Sequence, residues 1–116
     1  MPTSTHHSTH SMSFLERAAL PSTPPLGAYL LRLMAVKRTN LCLSADVQST
    51  SQLLDLAEEC GDSICIFKTH ADIVSDFGER TIRGLMEIAA RRKFLIFEDR
   101  KFGDIGSMLS WSLFCA

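Results

Sequence analysis

Short apolar runs alternate along the chain with stretches in which apolar residues recur every three or four positions. The continuous runs cover residues 41–45, 64–67 and 94–98, and the helical spacing covers residues 26–37, 53–57 and 82–90. Short continuous apolar runs are typical of strands that are covered on both faces. The order helix, strand, helix, strand, helix, strand therefore predicts a parallel α/β sheet built from right-handed βαβ units.

Polar residues and glycines mark where the predicted helices begin and end. Residues 49–51 (Ser-Thr-Ser) offer N-caps for the second long helix, and Gly61 is its expected stop. Asn40 is expected to close the first long helix. In the last helix the predicted core stripe consists of Ile82, Leu85, Met86, Ala89 and Ala90.

The amino-terminal segment differs in composition from the rest. Residues 1–13 are rich in Ser, Thr and His, a short helix is predicted within residues 14–20, and prolines follow at 21, 24 and 25. Pro interrupts helices because it lacks a backbone N–H and its ring clashes with the preceding turn. We therefore predict a disordered or weakly ordered extension over residues 1–24.

Composition limits the classes of function. The 116 residues suit one small domain, and a net charge of −1 argues against a nucleic-acid surface or a polybasic membrane anchor. No apolar run approaches the roughly 18 residues of a membrane span, and the first residues lack the pattern of a secretory signal. The four cysteines form no C-x-x-C pair, which favours free thiols in a reducing, cytoplasmic setting. No metal site is predicted.

Charged side chains come at the ends of all three predicted strands. Asp46, Lys68 and Asp99 each follow an apolar run, and Asp99 begins a D-x-K-x-x-D pattern with Lys101 and Asp104. The carboxyl ends of parallel strands meet at one edge of the sheet, where α/β proteins place their chemistry. Two interpretations stay open on spacing alone: solvated ion pairs of small energetic value, or a charge network that presents a fixed ammonium to developing negative charge.

Three blocks extend this pattern and carry a resemblance. They are S-x-D-V at 44–47, K-T-H-x-D-I at 68–73 and F-E-D-R-K-F-x-D-I-G at 97–106. In order and spacing they resemble the orotidine 5′-phosphate decarboxylase family of the fungal type, over about residues 26–106. The resemblance implies a (β/α)8 barrel of which this chain supplies about three amino-terminal strands. It also implies conversion of orotidine 5′-monophosphate to uridine 5′-monophosphate and CO2 in pyrimidine synthesis, by a homodimer without metal or organic cofactor.

The same resemblance implies roles for individual residues. Asp46 and Lys68 contact the ribose, Asp99 lies beside the substrate carboxylate, and Lys101 delivers a proton to the carbon that loses CO2. Asp104 reaches the partner's site across the dimer interface, and His70 and Asp72 have a supporting role at most. The predicted catalytic residues are Lys101, Asp99, Lys68 and Asp104, and the predicted substrate contacts are Asp46, Lys68, Asp104 and Ile105.

The resemblance ends where the last ten residues begin. We therefore divide the chain into the extension (1–24), a decarboxylase-like part (25–106) and a non-matching tail (107–116). A complete barrel needs about 250 residues, so we expect this chain to be truncated and inactive alone. Two alternatives remain: a related Mg²⁺-dependent sugar-phosphate barrel enzyme, and a non-catalytic fragment that pairs with a full-length subunit.

Overall fold

Three parallel strands form the centre of the computed structural model, which describes residues 8–98. The strands are β1 (Cys42–Ala45), β2 (Ile66–Thr69) and β3 (Leu95–Glu98), and the helices are α1 (Phe14–Ala18), α2 (Pro25–Lys37), α3 (Thr50–Cys60) and α4 (Glu79–Arg92). The strand order is β1-β2-β3, and both pairings are parallel. The predicted parallel α/β arrangement is confirmed. Over the described range the sheet is open.

The extension contains some regular structure. Ser8–Ser11 forms a 3-10 turn in the segment for which the sequence predicts disorder, and α1 falls inside the helix predicted over residues 14–20. The Ser13 side chain accepts a hydrogen bond from the Glu16 N–H, while the Glu16 carboxylate accepts one from the Ser13 N–H. This reciprocal capping box stabilises a helix of only five residues. The division of the chain into three segments stays a prediction.

Several predicted helix ends agree with those observed, with one difference in detail. Ser49 caps α3 by accepting from the Gln52 N–H, as expected. Helix α2 ends at Lys37, as its apolar spacing predicts, but the residue that closes it is Arg38, where the backbone is left-handed with φ of 58°, and not Asn40. A helix commonly closes on one left-handed residue because its last carbonyls are then bonded.

The two faces of the sheet have different covers. On one face, α3 and α4 bury an apolar cluster that includes Leu53, Phe67, Leu85 and Ile96. On the other face, α2 covers the beginning of the strands, where Leu33 packs with buried Leu95. Alternation along each strand therefore sends odd and even positions into different environments.

The buried face of α4 is rotated from the predicted stripe. Leu85 and Ala89 are buried as expected, but Ala90 is exposed and Ile82 is only half-buried. Thr81 and Ile88 take their places in the core, with Thr81 only 1% exposed. The prediction failed because it counted apolar residues only, whereas the Thr81 hydroxyl has a buried partner on α3.

Lys37, at the end of α2, joins three segments of the chain. Its ammonium donates to the carbonyls of Gly61, Ile64, Arg92 and Lys93, at 2.7 Å for Gly61, 2.9 Å for Arg92 and 2.5 Å for Lys93. An ammonium has three protons, so the four acceptors share them. Burial lowers the pKa of this ammonium, while Asp62 and Cys65 oppose the shift. The contact fixes α2 to the end of α4 and to the connection from α3 to β2.

Gly61 allows the α3–β2 connection to pass close to α4. A Cβ atom on Gly61 would lie 2.7 Å from Cβ and 2.8 Å from Cγ of Arg92. Those atoms belong to the root of the Arg92 side chain, so they cannot move without the helix. Arg92 is further held by an ion pair with Asp62, with Nη1 and Oδ2 3.0 Å apart.

We expect Gly61→Ala to lower the free energy of unfolding by about 1–3 kcal/mol, because overpacking at a backbone contact forces α4 outward. The matched control is Gly27→Ala within α2, where the nearest atoms to a new Cβ are 3.7 Å away. There the substitution should raise stability by about 0.5–1 kcal/mol, since alanine is the better helix former. Denaturant unfolding followed by circular dichroism measures both. Equal effects at the two positions would contradict the steric explanation.

Among the helices within residues 8–98, no helix is both long enough and apolar enough to cross a membrane.

Candidate functional site

Asp46 and His70 meet at the carboxyl edge of the sheet. Asp46 directly follows β1 and His70 directly follows β2, two strands that pair in parallel register. Asp46 Oδ1 lies 3.9 Å from His70 Nε2, with 67% of the Asp46 side chain and 35% of the His70 side chain exposed. This distance suits an ion pair when the imidazole is protonated but is too long for a hydrogen bond.

Lys68 lies inside β2 and not after it, so the prediction for its place was wrong. The strand runs to Thr69 because its backbone keeps pairing with β1 and β3 beyond the apolar run. Lys68 pairs in register with Ser44 on one side and with Phe97 on the other. Its neighbour Phe67 is fully buried in the α3/α4 cluster, so alternation places Lys68 on the opposite face. Asp46 and His70 follow the paired ends of β1 and β2 at the same level, and Lys68 lies two residues before His70. The three side chains therefore share that face.

An open groove beside Asp46 is a poor candidate for the site. It runs along α3, and the residues that line it are Asp46, Val47, Gln48, Gln52, Asp55, Leu56 and Glu59. Three of these carry carboxylates and none is basic. An anionic ligand would be repelled there. The face that carries Lys68 is the better candidate.

Two loops at this edge are tied together by a small polar cluster, which we call the loop clasp: Thr50, Asp76 and Thr81. Asp76 Oδ1 accepts the Thr50 N–H at 2.7 Å, and the Thr50 hydroxyl donates to the Asp76 carbonyl at 3.2 Å. The hydroxyls of Thr50 and Thr81 are 2.7 Å apart, and Thr81 Oγ1 accepts the Gly78 N–H. The bond from Thr50 lowers the pKa of the Asp76 carboxyl.

Proton positions in the loop clasp follow from its geometry. A hydroxyl has one proton to donate, and that of Thr50 goes to the Asp76 carbonyl. Thr81 must therefore donate to Thr50. Both threonines are 1% exposed, and both of their hydroxyls are bonded inside the protein. Nearby, the Ser75 N–H and hydroxyl both donate to the Gln48 carbonyl, at 2.8 and 3.0 Å.

Four of the predicted site residues cannot be compared with the structure. They lie outside residues 8–98, in the segment that follows β3 in the sequence, and they are Asp99, Lys101, Asp104 and Ile105. Of the others, the structure brings Asp46 and Lys68 to one face, while Asp72 is exposed in a 3-10 turn at Ala71–Ile73. Within the described range, no three His, Cys, Asp or Glu side chains are grouped to hold a metal ion.

Sequence reasoning missed two features of this edge. Glu98, the last residue of β3, is fully buried on the face covered by α3 and α4. The signal available was an acid closing an apolar strand, which is costly unless the carboxylate is compensated. The loop clasp was missed as well, because Asp76 and Thr81 are 26 and 31 residues from Thr50 in the sequence.

Parallel strands with an acid, a base and an imidazole near adjacent carboxyl ends are an arrangement that α/β barrels and doubly wound sheets share. Comparison with known sequences makes the class specific. Residues 39–111 match the sequence profile described as "Orotidine 5'-phosphate decarboxylase / HUMPS family". The chain belongs to this family, whose fold is the TIM barrel.

Individual relatives agree with that assignment. Orotidine 5′-phosphate decarboxylase of Aureobasidium pullulans is 67% identical over 101 residues, which are 87% of this chain and 37% of the relative. The enzyme of the same name from Candida glabrata is 56% identical over 99 residues, 84% of this chain and 37% of the relative. Uridine 5′-monophosphate synthase of Bos taurus is 54% identical over 96 residues, which are 83% of this chain and 20% of the relative.

The extent of the match matters for interpretation. The chain spans little more than a third of the two fungal relatives. The profile match continues past Gly106 to residue 111, into the segment where the resemblance by motif ends.

Proposed function

We propose that the chain is the amino-terminal part of an orotidine 5′-phosphate decarboxylase, a carboxy-lyase of pyrimidine synthesis. The observation that carries the proposal is the order of charged groups in a member of this family. Asp46 follows β1, Lys68 lies on the same face of β2, and D-x-K-x-x-D comes directly after β3 in the sequence. The names of the relatives support the substrate, orotidine 5′-monophosphate.

The reaction requires a fixed cation at the carbon that loses CO2. When the bond between the pyrimidine ring and its carboxylate breaks, CO2 leaves and the electron pair stays on the ring carbon. No organic cofactor is proposed to delocalise that pair. Lys101 stabilises the developing charge and transfers a proton to the carbon. Asp99 of the same subunit and Asp104 of the partner subunit keep Lys101 protonated beforehand. The neutral amine then regains a proton from water.

Asp46 and Lys68 act at the sugar end of the substrate in this proposal. Their common face and adjacent strands support hydrogen bonds to the two ribose hydroxyls, with the carboxylate accepting and the ammonium donating. His70, 3.9 Å from Asp46, supports the orientation of that carboxylate. We further propose that the full-length protein is a cytoplasmic homodimer in which Asp104 reaches the partner's ribose.

The test uses a continued chain, defined as residues 1–106 of this sequence joined to the remaining part of the Aureobasidium pullulans relative. We expect it to release CO2 from orotidine 5′-monophosphate without added metal, and the 116-residue chain to release none. The decrease in substrate absorbance measures both. Activity that disappears on exhaustive chelation and returns with Mg²⁺ would favour the sugar-phosphate alternative.

The remaining alternative is a non-catalytic fragment that pairs with a full-length subunit. It predicts that the 116-residue chain co-purifies with a co-expressed full-length relative. Inactivity of the continued chain together with such co-purification would favour this alternative over the decarboxylase.

A further inference from the structure

The loop clasp connects two loops that each carry a residue of the candidate site. The loop after β1 begins with Asp46 and reaches Thr50 at the start of α3. The loop after β2 begins with His70 and reaches Asp76 shortly before α4. Two neighbouring residues of the second loop bond to the first: the Asp76 carboxylate accepts the Thr50 N–H at 2.7 Å, and Ser75 donates to the Gln48 carbonyl.

Two buried threonines connect the loop clasp to the core of the protein. Thr50 and Thr81 lie in the first turns of α3 and α4, are almost fully buried, and bond to each other at 2.7 Å. Asp76 lies above them and is exposed. Its position is therefore fixed by the N–H and the hydroxyl of buried Thr50, which Thr81 holds in turn, and not by burial of its own side chain. A second tie, from Ser75 to the Gln48 carbonyl, runs in parallel.

The geometry points to Asp76 as a positioning residue: through the loop clasp it holds the loop after β1 against the loop after β2 and so keeps Asp46 opposite His70. Along the sequence, Asp76 comes four positions after Asp72 and six after His70. It acts through Thr50 and does not contact the substrate. The effect of Asp76 on ribose binding rests on the proposed function, whereas its effect on the two loops is independent of that function.

The first test is made on the 116-residue chain by nuclear magnetic resonance. In Asp76→Ala we expect amide exchange at Gln48 and Thr50 to accelerate about five- to tenfold, as when a helix cap is lost. We also expect the NOE between the Asp46 and His70 side chains to weaken. Asp76→Asn keeps an oxygen that accepts from the Thr50 N–H, so it should restore most of both signals.

The matched control is Asp62→Ala. Asp62 is an exposed aspartate that pairs with Arg92 at 3.0 Å and faces Lys37, and it lies at the opposite edge of the sheet. Its removal should leave amide exchange at Gln48 and the Asp46–His70 NOE unchanged. Thr81→Val removes the buried hydroxyl that bonds to Thr50, so it should reproduce the effect of Asp76→Ala. Unchanged loop signals in both folded variants would overturn the proposal.

A kinetic test separates this inference from the proposed function. In the continued chain, Asp76→Ala should raise KM for orotidine 5′-monophosphate about tenfold, the value of one charge-assisted contact, with kcat much less affected. A KM like that of Asp62→Ala would overturn the link to ribose binding. If the unmodified continued chain has no activity, the proposed function fails, and the resonance experiment still decides whether Asp76 positions the loops.

Discussion

Replacing Lys101 by alanine in the continued chain should lower kcat by at least about 10³-fold and change KM little. The ammonium acts mainly as negative charge develops on the ring carbon, so its removal costs transition-state stabilisation more than substrate binding. Steady-state kinetics measure both constants. Lys101→Arg should also be inactive, because a guanidinium keeps the charge but does not give up a proton near neutral pH.

The neighbouring cation supplies the control for this variant. Arg100→Ala removes a positive charge one residue away, and the family motif gives Arg100 no part in proton transfer. We expect its kcat to remain within about threefold of the unmodified protein, as for a charge that touches no reacting atom. A variant at Lys101 that raises KM and leaves kcat intact would refute the assigned role.

A mixture of two inactive variants tests the shared site. If Asp104 acts in the partner's site, a heterodimer of Lys101→Ala and Asp104→Ala subunits has one site with both groups intact. Mixing the two proteins should therefore restore part of the activity. Heterodimers that form but remain inactive would count against a contribution across the interface.

Replacing Lys37 by methionine should lower the free energy of unfolding of the 116-residue chain by about 2–4 kcal/mol, because four carbonyls lose their shared charged donor at once. Methionine keeps much of the apolar stem, so the loss reports the ammonium. Two of the carbonyls belong to Arg92 and Lys93 at the end of α4, where a cation is also favoured by the helix dipole.

The control for Lys37 is Arg32→Met on the same helix. Arg32 is exposed, so its replacement should change stability by no more than about 0.5 kcal/mol. Denaturant unfolding of the two variants gives the comparison. Equal stability of the two would show that the four carbonyls are satisfied without Lys37.

The sequence predicted the strands and helices well because each has a local signal. Continuous apolar runs place β1, β2 and β3 within two residues of their observed positions, and Ser49 identifies the start of α3. The parallel order follows from the alternation of helix and strand. These features depend on residues close to each other in the chain, so a single sequence carries them.

Contacts between distant segments could not be predicted in the same way. Lys37 bonds to carbonyls 24 to 56 residues away, and a lysine at a helix end has the same local pattern whether or not it is buried. The rotation of α4 has the same origin, because the burial of Thr81 depends on Thr50. At the candidate site, residue types and order were predictable from motifs, while the extension of β2 through Lys68 depends on backbone pairing with both neighbours.

The position of Lys68 inside β2 also restricts how the sheet can assemble. Phe67 points into the α3/α4 cluster and is fully buried, whereas Lys68 is on the other face and half-buried. A shift of β2 by one residue against its neighbours would exchange the two faces. It would bring the ammonium onto the face that buries Leu53 and Ile96 and move the Phe67 ring out of that cluster, which costs free energy in desolvation and in lost apolar burial. A misaligned sheet is thus rejected during folding by the same lysine that we propose binds the ribose.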